Sequence, residues 1–470
     1  MRLRFFDLIL LVAVASVLGL MAHTPRPPDR GPDGRIIVTY WEKWTKFEGE
    51  AIKHVVERFN QTNDRIYIKL MTVSDIPDKV KVATAGGNPP DVAGLYTFNV
   101  ASFSDQNALM CLDDLCREHG IDPQDYIPVY WRMCQHRGHT WALPTTPATV
   151  ALHYNRSMLR QAGLPDRCPR SIAELDDWAE RLTVVRIRVG GTERTCTWRE
   201  YQTLAGGAEP VQFIDFVQMG FLPTEPGWFN WGLCAWFGGR LIDPDDPNRG
   251  ITADGPGNLA ALEWFCSYAD KYGLARIQKF QGGFGNFSSP ENAFFNGKVA
   301  MELQGVWMAN FIDQYAPKDF DWGAGPFPSV QPGSDPITVA DADVICIPAG
   351  ARRWREGFEF IRFLQSQEGM ELLCREQWKH SPLSSVSDGF YRSHRNKYIK
   401  LFYDLAWSPR ATIRPQVGVW EEYEKSLTTA FDNAWEGIES PREALAAVQK
   451  RMTYCYAGEL RRLARLGVRP

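Results

Sequence analysis

The stretch Glu291-Asn-Ala-Phe-Phe-Asn-Gly-Lys-Val-Ala-Met-Glu-Leu-Gln-Gly-Val-Trp-Met308 decides how the chain is read. It predicts the end of an amphipathic helix, a turn at Asn296-Gly297, a short apolar strand, and a new helix opening near Gly305. Gln304, Gly305 and Trp307 then lie where the backbone changes direction. In an open α/β sheet the crevice at the carboxyl ends of strands is where ligands bind. A helix start there also offers unpaired N–H groups. A lone Trp in the first turn of a helix is ordinarily packing, so Trp307 needs support from the rest of the chain before it marks a site.

Working outward, strands and helices alternate. Ile36–Tyr40 is a β-branched strand, and the loop Trp41-Glu-Lys-Trp44 leads into a helix over Glu48–Asn60 with Ile52, Val55, Val56 and Phe59 at helical spacing. Ile66–Val73 alternates as a second strand, Asp75–Ala85 is helical, and Asp91–Tyr96 is a third strand. This order predicts a mostly parallel sheet with helices on both faces. Trp141–Pro144 and Val150–Tyr154 read as short strands flanking Thr145-Thr146-Pro147, too close for a crossover helix, and so as a first connection between lobes. Ser171 with Glu174 three residues later predicts a capping box. Residues 184–208, polar and Gly-bearing, read as a peripheral insertion. Further helices are predicted over Phe229–Trp236, Ala260–Tyr272, Phe358–Gln365, Gly369–Glu376, Trp420–Trp435 and Arg442–Leu463.

At 470 residues the chain is too long for one core and fits two lobes. A net charge of −4 without a long basic block argues against nucleic acid as a partner. The unusual count is 17 Trp; most must be core, but several stand beside polar residues in loops, which suits a wet aromatic cleft. Arg2 and Arg4, the apolar run Leu8–Ala22 and the Pro-rich Pro25–Gly34 have the layout of a secretory signal or an uncleaved membrane anchor. Ten cysteines in an exported chain raise the question of disulfides; Cys111 with Cys116 or Cys134 is a plausible pair, while Cys266 and Cys346 read as core. Cys134, His136 and His139 fall close together, but no second ligand pair follows in sequence, so no metal is predicted.

Seven marks, one of them within the stretch just read, stand in one order: Tyr40-Trp-Glu-Lys-Trp44; Ala85-Gly-Gly-Asn-Pro-Pro-Asp-Val92; Trp141-Ala-Leu-Pro144; Leu152-His-Tyr-Asn-Arg156 running to Ala162-Gly-Leu-Pro165; Phe237-Gly-Gly239; Phe295-Asn-Gly-Lys-Val-Ala-Met301; and Phe358–Gln365 with Glu368-Gly369. Each alone is weak. Together, from Ile36 to Met452, they resemble the family 1 extracellular solute-binding proteins, the sugar receptors of ABC importers.

The resemblance implies an α/β, two-lobed periplasmic-binding-protein fold (class II), each lobe a mostly parallel sheet with helices on both faces. Three hinge crossovers are expected near Thr145–Thr149, Leu303–Val306 and Ala340–Val344. The implied division sets residues 1–34 aside as signal or anchor plus linker. It places 36–147 and 303–342 in the first lobe, and 148–302 and 343–470 in the second. The implied function is capture of a mono- or oligosaccharide by hinge closure and delivery to ABC permease subunits, the ATPase acting only indirectly. No cofactor is implied, the receptor is expected to be monomeric, and its place is periplasmic or otherwise outside the cytoplasm.

Site residues follow by position. Glu42 and Trp44 stand after the first strand, and Phe98 and Asn99 after the third. Thr145 lies in the first crossover, Trp228 and Trp231 in the aromatic stretch of the second lobe. Gln304 and Trp307 belong to the opening motif, with Asp341 (or Asp343) after the third crossover and Arg414 in the C-terminal segment. Flat Trp faces suit the apolar C–H face of a pyranose, and Asp, Asn, Gln and Arg suit its hydroxyls. Ala148 departs from the family pattern, since some oligosaccharide receptors carry a carboxylate there. Two rivals share these features. A secreted carbohydrate-active enzyme would need two carboxylates about 5–9.5 Å apart, and no spacing singles out such a pair. A membrane-tethered sensor would share the fold, and a glycerol phosphodiester is a non-sugar ligand within the same family.

Overall fold

The computed structural model describes residues 30–31, 33–227, 230–243, 250–330 and 335–467. The apolar N-terminal run, Trp228 and Phe229 lie outside them. Among the described residues there are thirteen strands: β1 Ile36–Glu42, β2 Ile66–Thr72, β3 Val92–Tyr96, β4 Gln135–His136, β5 His139–Thr140, β6 Leu143–Asn155, β7 Val184–Val189, β8 Thr192–Thr197, β9 Val211–Phe221, β10 Val299–Gly305, β11 Trp322–Gly325, β12 Thr338–Cys346 and β13 Ala411–Thr412. The main path is β2-β1-β3-β12-β6-β10-β9-β7-β8, with β11 on β6 and β13 on β12; β4 and β5 form a separate hairpin.

The first lobe forms as its sequence pattern requires. The helix Lys46–Thr62 turns Ile52, Val55, Val56 and Phe59 inward. They meet Val38 and Tyr40 of β1, and Phe358, Phe360, Leu364 and Met370 of two later helices, in one core. β1 pairs with β2 and β3 in parallel, and β12 closes that sheet antiparallel to β3. The second core gathers Leu152, Trp178, Phe216, Met219, Trp236, Phe265, Met301 and, from the C-terminal helices, Trp420, Tyr423, Leu427 and Met452.

Several expectations are corrected. The sheet is mixed rather than mostly parallel: β10 lies antiparallel to β6 but parallel to β9, and β7 is antiparallel to both β8 and β9. Its far edge is the region read as an insertion. There Val189 pairs with Thr192 across Gly190-Gly191, whose φ values of 56° and 85° give the two-residue hairpin that a glycine pair permits. Trp141–Pro144 and Val150–Tyr154 are not two strands. Leu143–Asn155 is one strand, buried along its whole length. The segment before β10 is a series of turns, in which Asn292 Oδ1 accepts from Phe294 N at 2.9 Å and Phe295 N at 3.2 Å in place of helical bonding. Ser171 caps its helix, but the Glu174 carboxylate binds Arg167 and the Arg170 N–H instead of closing a box. The Cys111 pairing fails, because all ten cysteines are free thiols.

The lobe division also changes. Residues 303–342 do not return to the first lobe at Leu303–Val306. After Gly305 the helix Met308–Tyr315 packs Met308, Phe311 and Ile312 against Phe294, Phe295 and Trp322, and Trp322 lies on β11 beside β6. Phe358 to Phe390, expected in the second lobe, pack with Val38 in the first. Among the described residues, three passages still join the lobes. β6 and β12 run through both as an antiparallel ribbon, Ala340 facing Thr149 and Ile345 facing Leu143. The third passage is the chain from Phe390 in the first core to Val417 in the second. On the way its helix Ile399–Ala406 packs on Ala148 and Ala151 and accepts a bond from Thr149 Oγ1 at the carbonyl of Phe402, 2.9 Å.

Candidate functional site

The lobes meet over a cleft of about 370 Å3, within the range of small-molecule sites. Its floor is the ribbon, which contributes Thr146 and Ala148 from β6 and Asp341, Ala342 and Asp343 from β12. One wall is the start of the first long helix (Thr45, Lys46, Phe47, Glu48) with Tyr96 at the end of β3; the other is Trp307, Phe311, Phe287 and Ser288, and Lys379 completes the lining. Lys46 sits there with φ of 51°, a backbone region that lysine rarely adopts.

Four aromatic rings, Phe47 from one wall and three from the other, meet in a row. Phe47 lies edge-on to Phe311 at 5.5 Å, Phe311 edge-on to Phe287 at 5.0 Å, and Phe287 is 6.3 Å from Trp307. The polar side is held by paired charges. Asp343 accepts from Thr146 Oγ1 at 2.8 Å and from Trp44 Nε1 at 3.3 Å, with Lys43 Nζ at 3.0 Å. Lys379 Nζ lies 2.9 Å from Glu48 Oε1. Burial opposes the charge on Asp343, yet Lys43 and Lys379 outweigh it and hold the carboxyl below its usual range. Burial likewise opposes the charge on Lys43, and Asp343 and Glu42 overcome it, so the ammonium is held above its ordinary value. Asp341 accepts from Thr97 Oγ1 at 2.5 Å and pairs with Arg414.

Of the residues expected from sequence, Trp307 and both Asp341 and its alternative Asp343 line the cleft. Trp44 is 5% exposed and lies behind the wall, holding Asp343. Glu42 is deeper still: it accepts from Tyr40 Oη at 2.5 Å and Lys43 N at 2.7 Å. Its carboxylate fills the space over Gly94, where a β-carbon would fall 1.8 Å away. Thr145 is buried with Oγ1 unpartnered. Gln304 is fully buried; its Oε1 accepts the Gly305 N–H at 3.0 Å and its Nε2 has no partner. Phe98, Asn99, Trp231 and Arg414 form a separate bridge between lobes. Phe98 stacks on Tyr96 at 4.9 Å, the Arg414 guanidinium stands 5.0 Å from the Phe98 ring and 4.7 Å from Trp231, and Asn99 Nδ2 donates to Glu421 Oε1 at 3.1 Å. Trp228 lies outside the described residues.

Sequence reasoning missed Thr146, Phe287, Phe311, Phe47, Glu48 and Lys379. Phe47 and Glu48 stand within four residues of Trp44, on the helix start rather than the loop, so their signal was present. Phe287 and Lys379 lie in irregular segments with no pattern to mark them.

Known proteins share this frame. Residues 45–371 match the family described as Bacterial extracellular solute-binding protein. The Multiple sugar-binding protein of Streptococcus mutans is 21% identical over 379 residues, which cover 77% of this chain and 78% of that one. Among solved structures, CpMnBP1 with mannotriose bound is 26% identical with a TM-score of 0.69, over 88% of this chain and 99% of that one. The sugar-binding protein MalE from Xanthomonas citri has the same fold, with a TM-score of 0.70 at 18% identity over 90% and 98% of the two chains. A match over this much of the chain, on a two-lobed α/β frame with a cleft at its waist, makes this protein a member of the bacterial extracellular solute-binding protein family.

Proposed function

We propose that this chain is the extracytoplasmic receptor of an ABC importer, and that it captures a short carbohydrate between its lobes and presents it to a membrane permease. The observation that carries this reading is the two-sided lining of the cleft. Trp307, Phe311, Phe287 and Phe47 offer apolar ring surface, while Thr146, Asp341, Asp343 and Lys379 offer fixed polar groups. A pyranose has this same division between C–H faces and hydroxyls. Mannotriose in CpMnBP1 and the sugars named for the Streptococcus mutans relative support the same ligand class.

In this reading Trp307 is the stacking platform, and Asp341 and Asp343 accept from hydroxyls. A sugar touching both lobes favours closure, because only the closed form makes both sets of contacts. ATP hydrolysis belongs to the partner, and the receptor acts as a monomer. The Leu8–Ala22 run supports export with or without a retained anchor. Among the described residues no helix is long and apolar enough to cross a membrane. The cleft carboxylates are each matched by a cation, Asp343 by Lys43, Glu48 by Lys379 and Asp341 by Arg414. None is thereby arranged as a proton donor, which favours binding without turnover.

The test is a thermal-shift and calorimetric screen against mannobiose, mannotriose, maltotriose, monosaccharides and a glycerol phosphodiester. At 100 Kd a true ligand stabilises the fold by about 2.7 kcal/mol, and chromatography should recover the sugar unchanged. A shift with the phosphodiester alone would sink the carbohydrate reading; released products would sink the non-enzymatic one.

A further inference from the structure

His139 and Cys134, neighbours in sequence, are separated by the fold. Cys134 is fully buried in the core beside Ala142 and Cys346, and His136 Nε2 is bonded to Asp105 at 3.0 Å. The hairpin β4–β5 instead carries His139 to a different pair, Cys111 just before the short helix Asp113–Glu118 and Asp113, its first residue. One ligand atom from each of Cys111, Asp113 and His139 lies within 4.8 Å of the others. His139 Nδ1 and Asp113 Oδ2 are 2.7 Å apart.

We propose that Cys111, Asp113 and His139 bind one zinc ion on the surface of the first lobe, outside the sugar cleft. The donor set is one sulfur, one nitrogen and one oxygen, which suits a borderline divalent ion with no strong geometric demand of its own. Zinc bonds of about 2.0–2.3 Å in a tetrahedron put neighbouring ligand atoms about 3.3–3.8 Å apart. The His139–Asp113 hydrogen bond would open by about 1 Å, and the three ligand atoms, all within 4.8 Å of one another, would settle at those separations as the ion enters.

The surroundings hold the ligands in place. Asp113 Oδ1 accepts the Thr140 N–H at 2.8 Å, which leaves Oδ2, now paired with His139, as the oxygen that turns to the ion. Leu112 N donates to Thr140 O at 2.8 Å, so the two ligand-bearing segments are tied together beside the site. Such outer contacts fix ligand orientation in metal sites. One thiolate and one carboxylate neutralise the ion, and the thiol proton of Cys111 passes to solvent as the Zn–S bond forms. Three protein ligands leave a fourth position for water. Cys111 and His139 are exposed, so the ion has an open path.

The experiment uses the full chain, stripped with a chelator and kept reduced with a phosphine. Cobalt(II) is titrated as a coloured substitute, then displaced by zinc. The expected result is one equivalent of cobalt, a near-ultraviolet thiolate-to-cobalt band, and bleaching of that band by one equivalent of zinc. Cys111→Ser and His139→Ala should each abolish the band while moving the melting temperature of the metal-free protein only slightly, because both side chains are exposed and the contacts of His139 with Asp113 and Trp141 lie at the surface. Zinc affinity should fall by about 100-fold or more, since outer-shell changes alone cost about 10–100-fold. Absence of the band in the parent protein, or a band that survives both substitutions, overturns the proposal.

Discussion

Gly305 and Trp307 share one volume: a β-carbon built on Gly305 would fall 2.3 Å from Cη2 of the Trp307 indole and 2.4 Å from its Cζ3. The ring therefore lies folded back over the backbone that carries it, and the missing side chain at 305 is what sets its position on the cleft wall. Gly305→Ala should displace the ring and weaken sugar binding by about 1–3 kcal/mol, the worth of one aromatic platform. Trp307→Ala should cost a similar amount, and the double variant little more, because both remove the same contact. Isothermal titration of the three variants checks this. Unchanged affinity in both singles would assign Trp307 to packing alone.

Arg414 stands against the rings of Phe98 and Trp231, with Asp341 and Glu424 at its guanidinium. A lysine retains the charge but not the plane or the forked donors. Arg414→Lys should lower unfolding free energy by about 1–2 kcal/mol in urea titration, and Arg414→Ala by more, but less than the about 3–5 kcal/mol of a fully buried pair, since the Asp341 and Glu424 carboxylates left behind are partly exposed. Equal stability of all three proteins would show the bridge to be incidental.

Burial pushes the carboxyls of Glu225 and Glu459 up to about 7, with Asp105 adding to the shift at Glu459. A carboxyl with a higher pKa in the folded than in the unfolded state binds its proton more tightly when folded. Its contribution to stability is therefore complete below the ordinary value of 4.5 and lost as pH rises through about 7. Melting curves between those limits should show Glu225→Gln with a flatter decline than the parent protein. Parallel curves would place the titration elsewhere.

Lys43, largely buried, has Asp343 and Glu42 as its counter-charges. Asp343→Asn removes one of them and should cost about 3 kcal/mol or more in stability, the usual consequence of leaving a buried ion under-paired. Lys43→Met alone leaves Asp343 without its nearest cation and should be similarly damaging. The two together should be milder than the sum, which denaturant titration of the four proteins in the cycle would reveal.

The elements that local pattern specifies were legible. The spacing of Ile52, Val55, Val56 and Phe59 is enough to name their helix and its buried face, and the turn at Gly297, with φ of 63°, follows from Asn-Gly. What local pattern does not carry was misread. Leu143–Asn155 contains Thr145-Thr146-Pro147, which looks like a break, and only pairing with β12 on one side and β10 on the other keeps it a single strand. The lobe assignment of Phe358–Phe390 depends on contacts about 300 residues distant, with Val38 and Tyr40. In the cleft, positions in a motif such as Trp307 could be read. Lys379 and Phe287 could not, because irregular backbone leaves no period to follow. Glu42 and Trp44 misled for a different reason: polar and aromatic residues beside a cleft can support it from behind as readily as line it.

The ribbon under the cleft has its irregularity at the cleft floor. Between Ala342 facing Pro147 and Val344 facing Pro144 the register slips, so Thr145 and Thr146 span a bulge, and the prolines at either side have no N–H to give. The weakest-bonded part of the joint is thus also the floor that a sugar would rest on. Substitutions there alter two properties at once, what fits and how readily the lobes swing. A lineage changing its diet would pay less by altering the walls, at Phe47, Phe287 or Phe311, than by altering Thr146. Relatives with different ligands should therefore differ most around the rim and least along the pivot.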